Sequence, residues 1–328
     1  MKIYEEYVSA IADAMKADPK HRPISEQFSK GFTYEALNRR LPKNQLQPSL
    51  QVLASQFGVT PDFQQKLGMH PDFAHLKSSA GSTEKHYIVS MFVDIKGSTN
   101  MFRKYIPETV LVITNTIQRA AIHTCLVLGG YVHRLQGDGL FVYFGGKNMS
   151  IKEAVKRSLV FSSIFTYFVK TDIKRLFNEQ DIDAVFTRIG IDLGYDEDVL
   201  WSLAGLGEIS EVTTCSLHTS LASKMQAYAE SNGIVVGDHI VKEAVAPPNF
   251  FQPVCQRTKS ENDRYIFQIP DEQFNYTQHD FAWLLFLKAQ SFIATDLSGN
   301  IQVKQKPIEP LNTASLASIA STNRPYFP

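Results

Sequence analysis

The sequence predicts an α+β fold in which strands and helices alternate around one sheet. Three stretches predict it. Residues 88–99 alternate apolar side chains up to Asp94 and then turn through Gly97 into Ser98 and Thr99, the form of a strand entering a helix. A helical pattern follows over 101–128. Residues 131–144 place Gly137-Asp138-Gly139 between two apolar runs, which is a hairpin signature. Strand, helix, hairpin, helix, strand is the alternation of a ferredoxin-like βαββαβ core with extra strands.

Residues 1–83 read as a helical region with breaks. Tyr4, Val8, Ile11 and Met15 form one stripe, ended by Asp18-Pro19, and a second helix is expected over 50–57. Thr60-Pro61-Asp62 has the form of an N-cap with proline in the first turn, predicting a third. A polar linker over 78–84 closes the region, whose expected role is packing on the next domain or on a partner. Within the domain expected at 84–270, the second helix spans 151–178, with Phe161, Phe165 and Phe168 as a core stripe. Next come a strand at 184–193, a variable stretch to 210, a helix at 218–231, a strand at 233–236 and a closing hairpin at 251–269. Residues 271–328 add an apolar helix at 281–292 and a Ser/Thr/Ala/Pro-rich end expected to be loose or draped over a partner.

At 328 residues, 44% apolar and 20% charged, the chain has room for one large domain plus additions. Its 33 basic and 33 acidic residues balance, so neither nucleic acid nor an anionic membrane is an expected partner. The three cysteines are far apart and have neither a disulfide nor a zinc spacing, which fits a reducing cytoplasm. The N-terminus is charged, and the longest apolar runs are too short or too polar to span a bilayer, so a soluble cytoplasmic chain is expected.

The chemistry gathers on two carboxylates. Asp94 ends a strand before a glycine loop and a helix, a place suited to a hard cation and to phosphate oxygens facing free backbone amides. Asp138 reads in two ways: as a turn former, or as a second carboxylate brought alongside the first strand. Two converging carboxylates repel unless a cation lies between them, and a pair of Mg²⁺ or Mn²⁺ ions bridging a triphosphate is the usual answer.

Together the stretches 92–99 and 130–144 resemble the class III nucleotidyl cyclases, with weaker matches at 188–194 and 217–225, in order across roughly residues 84–270. The resemblance implies a class III cyclase homology domain holding two metal ions on Asp94, Asp138 and the backbone carbonyl of Ile95. It further implies that Lys96, Gly97, Ser98 and Thr99 cradle the triphosphate, although Lys96 also reads as an ordinary exposed lysine. Family members carry an arginine and an asparagine four residues apart on one helix, acting on the ribose and the transition state. Here those places fall on Lys224 and Ser220, and lysine keeps the charge without the two-pronged geometry. Because these residues act across an interface in the family, a head-to-tail homodimer is implied.

The family's base-reading places fall on Arg134, four residues before Asp138, and on Thr213. Arginine only donates, which mismatches guanine and suits an edge rich in acceptors. Its length suits a pyrimidine in a purine-sized pocket. Tyr87, seven residues before Asp94, is expected either to fill the remaining gap or bond the base, or to be a core aromatic. The combination resembles the bacterial Pycsar pyrimidine cyclases, which implies conversion of UTP or CTP to a cyclic second messenger in anti-phage defence. UTP is favoured, because cytosine's amino group needs an acceptor and neither Arg134 nor Tyr87 is one, although Thr213 could serve. The alternatives are a cytidylate cyclase, an adenylate cyclase, or a degenerate nucleotide-binding module. The last is favoured by the departures at Ser220 and Lys224 and opposed by the two aspartates. A diguanylate-cyclase-like domain would need a different hairpin from Gly137-Asp-Gly-Leu-Phe141.

Overall fold

The computed structural model describes residues 2–20, 32–42, 44–78, 81–180, 182 and 185–304. The N-terminal region forms α1 (Glu5–Lys16), α2 (Tyr34–Arg40), α3 (Pro48–Gln56) and a 3₁₀ helix at Pro71–Ser78. Of the predicted stripe, Tyr4, Ile11 and Met15 are buried and Val8 is partly buried, and Tyr7 joins them in the core. Two phenols tie this end of the chain to the long helix that follows, Tyr4 to Thr124 and Tyr7 to Nδ1 of His123, each at 2.6 Å. The helix expected from Thr60-Pro61-Asp62 does not form. Asp62 instead accepts the backbone N–H of Gln64 at 2.8 Å in a local turn, which competes with helix. Farther on, the Gly68 amide bonds the carbonyl of His133 and its carbonyl accepts from Val212.

Part of the polar linker is a strand, β1 (Thr83–Lys85). Next come β2 (Ile88–Lys96), a 3₁₀ helix at Ser98–Arg103, α4 (Pro107–Val127), β3 (Tyr131–Gln136) and β4 (Gly139–Phe144). A 3₁₀ helix thus stands where the predicted long helix would begin, and α4 starts with proline in its first turn. α4 is long and apolar enough to cross a bilayer by length and composition, and most of that apolar window is buried in this core. α5 (Ile151–Tyr167) passes through a π-helical segment (Phe168–Ile173) into α6 (Lys174–Glu179), and β5 (Phe186–Gly194) follows.

The stretch read as variable is a hairpin, β6 (Leu200–Leu206) and β7 (Ile209–Cys215). It is followed by α7 (Leu217–Tyr228), β8 (Gly233–Gly237), α8 (Asp238–Glu243), β9 (Phe251–Pro253), α9 (Val254–Thr258), β10 (Tyr265–Ile269) and β11 (Phe274–Phe281). The closing hairpin is β10–β11 rather than 251–269, so the boundary expected at 270 falls inside it. α10 (Trp283–Lys288) is shorter than the helix expected at 281–292, and β12 (Ile293–Thr295) pairs with β13 (Ile301–Val303). The Ser/Thr/Ala/Pro-rich end beyond 304 lies outside the described residues.

The main sheet runs β10-β11-β8-β5-β2-β4-β3, with β9 on β11, and β1-β6-β7 form a second sheet. Within it β5-β2-β4-β3 are mutually antiparallel, the ferredoxin-like order, and β8 joins β5 in parallel. β2 is covered on both faces, so it reads as a nearly continuous apolar run. Val89, Met91 and Val93 pack with α4 and α5, while Ile88 and Phe92 join the β6–β7 hairpin through Tyr143 and Trp201. α7 lies on the second face, where Leu221 and Met225 meet Val235 and Tyr276. A chain of hydroxyls locks it there: Tyr143 to Thr214, Thr214 to Thr219, and Thr219 to Ser90, at 2.9, 2.9 and 2.8 Å.

Candidate active site

Asp94 and Asp138 meet at one end of the sheet. β2 and β4 pair as far as Val93 against Leu140, so Asp94 and the hairpin tip extend from the same rung. Gly139 is required there: a Cβ on it would lie 2.4 Å from the Val93 carbonyl oxygen and 3.4 Å from Asp94 Cα. Gly97 turns the chain out of β2 with φ 88°, a conformation glycine adopts without steric cost. Beside the tip lies a cleft of about 580 Å³, lined by Ser98, Gly137, Asp138 and the first turns of α4.

The two carboxylates are held differently. Arg188 Nη2 and Gln226 Nε2 both donate to Oδ2 of Asp94, at 3.1 and 3.3 Å. Arg188 is the direct cross-strand partner of Asp94 on β5, and Gln226 reaches it from α7. Asp138 Oδ2 is shielded from solvent and has no hydrogen-bond partner among the described residues. An acceptor-only oxygen buried without a donor is costly unless a cation lies against it, so this pair fits a divalent metal. Ile95 is buried at the next strand position, across from Thr187. Lys96 and Thr99 are exposed beside the partly buried Gly97 and Ser98.

Ser220 and Lys224 lie one turn apart on the exposed face of α7, with Ser220 donating to the Ser216 carbonyl at 3.3 Å. Arg134 is not a lone donor. Its Nε donates to Glu211 Oε2 at 2.6 Å, and its Nη2 makes a second contact with the same carboxylate. Glu211 lies two residues before Thr213 on β7, so both side chains share one face beside Arg134.

Of the two readings of Tyr87, its contacts match the core aromatic. It is buried at the far end of β2, its hydroxyl donates to the Met149 carbonyl, and its ring packs on Gly145. Seven strand residues, roughly 23 Å, separate it from Asp94. Arg188, Gln226 and Glu211 were not singled out from the sequence, although Arg188 opens the weaker match at 188–194. For Glu211 the available signal was its two-residue spacing from Thr213.

No family model matches the chain. It is 35% identical over 254 residues to a cytidylate cyclase of Staphylococcus aureus, covering 76% of this chain and 59% of that one. It is 31% identical over 261 residues to a cytidylate cyclase of Escherichia coli, covering 75% and 55%. The chain thus spans little more than half the length of these relatives. Among solved structures it is similar to the adenylyl cyclase CyaB from P. aeruginosa, at 16% identity, TM-score 0.48 and coverage of 61% of this chain and 95% of that one. A guanylyl cyclase, Cya2, gives 16% identity and TM-score 0.47, covering 62% and 93%. The preference for uracil drawn from the sequence has no support in the relatives, which carry the name cytidylate cyclase. Motif order, strand order and these sequence relatives place the chain in the class III nucleotidyl cyclase family, alongside its bacterial Pycsar pyrimidine cyclases.

Proposed function

We propose that this chain is a cytidylate cyclase that converts CTP to 3′,5′-cyclic CMP and diphosphate. The observation that carries the choice of base is the Arg134–Glu211 pair. Cytosine offers two acceptors, N3 and O2, beside an amino donor. Arg134 supplies donors for the acceptors, and Glu211, with Thr213, supplies the acceptor that the sequence reading found missing. The names of the relatives support the same base. UTP, the choice made from sequence, becomes the alternative.

Asp94, Asp138 and the Ile95 carbonyl would hold two divalent cations, Mn²⁺ or Mg²⁺. Bound there, the cations supply charge neutralisation on the triphosphate and acidify the ribose 3′-hydroxyl. The 3′-oxygen attacks the α-phosphorus in line and diphosphate leaves. Lys96, Gly97, Ser98 and Thr99 stand where they would meet the phosphates, and Lys224 with Ser220 would steady the ribose and the charge that develops. Both lie on an exposed helix face, which supports the resemblance's implication of a site completed by a second copy in a head-to-tail homodimer. Sedimentation as a monomer under assay conditions would sink that part.

The direct test incubates the purified chain with Mn²⁺ and each nucleoside triphosphate separately. Cyclic CMP is expected to dominate, and Asp94→Ala and Asp138→Ala are each expected to abolish it without loss of fold. Dominant cyclic AMP or GMP would overturn the pyrimidine reading, and dominant cyclic UMP the cytosine reading. No product from a folded wild type would favour a degenerate binding module, a reading supported by Ser220, Lys224 and the clasp of Arg188 and Gln226 on Asp94. The anti-phage role rests on the resemblance alone. It is tested by whether cyclic CMP rises on infection of cells carrying the gene.

A further inference from the structure

A second cluster of ligating groups lies away from the two catalytic carboxylates. His218 in the first turn of α7, His239 in the first turn of α8 and Asp198 in the turn before β6 each offer one ligand atom, and these atoms lie within 4.8 Å of one another. Asp192, four residues along β5 from Arg188 and so about 13 Å from the Asp94 contact, stands behind them.

Both imidazoles are oriented for the task. His218 Nδ1 is 2.8 Å from the carboxylate of Asp192, which is fully buried and is held in turn by the Tyr276 hydroxyl at 2.7 Å and the Leu193 amide at 2.9 Å. His239 Nδ1 is 2.9 Å from the Leu193 carbonyl, which only accepts, so the proton sits on Nδ1. With Nδ1 donating in both rings, each Nε2 is left with its lone pair. An imidazole whose rear N–H is fixed by a carboxylate or a carbonyl is the usual form of a metal-ligating histidine. His218 Nε2 already stands 3.8 Å from Asp198 Oδ2. A tetrahedral shell with bonds of about 2.1 Å has its ligand atoms roughly 3.4 Å apart. From separations within 4.8 Å, closing the set takes a movement of roughly 1 Å.

We propose that His218, His239 and Asp198 bind one divalent transition-metal ion, for which two imidazoles and one carboxylate with an open fourth position favour Zn²⁺. The ion would fasten the start of α7, which carries Ser220 and Lys224, to the turn leading into the β6–β7 hairpin, which carries Glu211 and Thr213. Its role is to position the two elements that the proposed nucleotide site draws on, and its occupancy does not depend on the identity of the nucleotide.

The test uses the full chain, stripped with a chelator, dialysed and titrated with Zn²⁺ alone. One ion per chain is expected by elemental analysis and calorimetry, both in the wild type and in an Asp94→Ala/Asp138→Ala double variant. His239→Gln and Asp198→Asn are expected to weaken binding about tenfold or more with unchanged circular dichroism. Co²⁺ should give the visible ligand-field bands of a four-coordinate site, lost in His239→Gln. Absence of stoichiometric Zn²⁺ from the wild type, or wild-type affinity in both ligand variants, overturns the proposal and marks the cluster as a metal-free hydrogen-bond relay. Loss of the ion in the Asp94→Ala/Asp138→Ala variant also overturns it, by assigning the metal to the catalytic carboxylates.

Discussion

Glu211 changes how the base edge is read. An arginine alone offers five donors and no acceptor, so it ranks uracil's two carbonyls above cytosine's mixed edge. Once a carboxylate is bonded to that arginine, the pair presents donor and acceptor side by side. Leaving cytosine's amino group unpaired in a desolvated site costs about 1–3 kcal/mol. Glu211→Ala is therefore expected to lower the CTP-to-UTP ratio of kcat/KM about tenfold, read from initial rates with each nucleotide. An unchanged ratio would remove Glu211 from base choice. This residue was hidden in the sequence because its partner is 77 positions away in the chain. Asp94 and Asp138 were legible for the opposite reason. Each is fixed by a local pattern: an apolar strand running into a glycine turn, and a turn between two apolar runs. Tyr87 stayed open between two readings because spacing along a strand says nothing of which end of the sheet faces a ligand.

The seating of α7 on β5 sets much of the site's geometry. It depends on Gly190, where a Cβ would lie 2.1 Å from the Ala222 carbonyl oxygen and 2.3 Å from the Gln226 amide nitrogen. Both neighbours are helix backbone, so an added methyl cannot be met by a rotamer change and must push the helix outward. Gly190→Ala is expected to cost about 3 kcal/mol of stability, read as a lower urea midpoint. It should also reduce product formation, because Gln226 retreats from Asp94 and the Ser220–Lys224 face shifts with it. Wild-type stability in this variant would show that α7 yields freely. The sequence made α7, β2 and the β3–β4 hairpin visible through periodicity, yet it concealed β6, β7 and β11. β7 and β11 carry adjacent polar residues, such as Ser210 and Glu211 on β7 and Gln278 and His279 on β11, which break a clean apolar period. Their pairing comes from partners distant in the chain, which a local pattern does not report.

The molecule as a whole carries a built-in sensitivity to acid. His70 packs among Phe73, Tyr131 and Trp201, and His133 lies against Phe141 and Tyr143, in the apolar layer between the main sheet and the β6–β7 hairpin. Burial pushes His70 down to about 4 and His133 down to about 3. Asp72 partly opposes the first shift, and the positive charge of Arg134 adds to the second. His70 Nδ1 accepts the Asp72 amide at 3.3 Å, which requires the ring to be unprotonated at that atom. In the unfolded chain both rings titrate near 6.5. Above that value neither state binds the proton, and the stability is fully present. Below it the unfolded chain binds protons that the fold refuses, so stability falls with pH toward the folded values of about 4 and 3. At pH 5 the loss is about 2 kcal/mol for each histidine. Urea midpoints measured with chelator present, so that no bound metal contributes, should drop between pH 7 and pH 5. His70→Phe keeps an aromatic ring in the cluster and removes one titrating group, and it is expected to cut about 2 kcal/mol from that drop. An identical drop in the variant would show that His70 is protonated without penalty and that the acid sensitivity arises elsewhere.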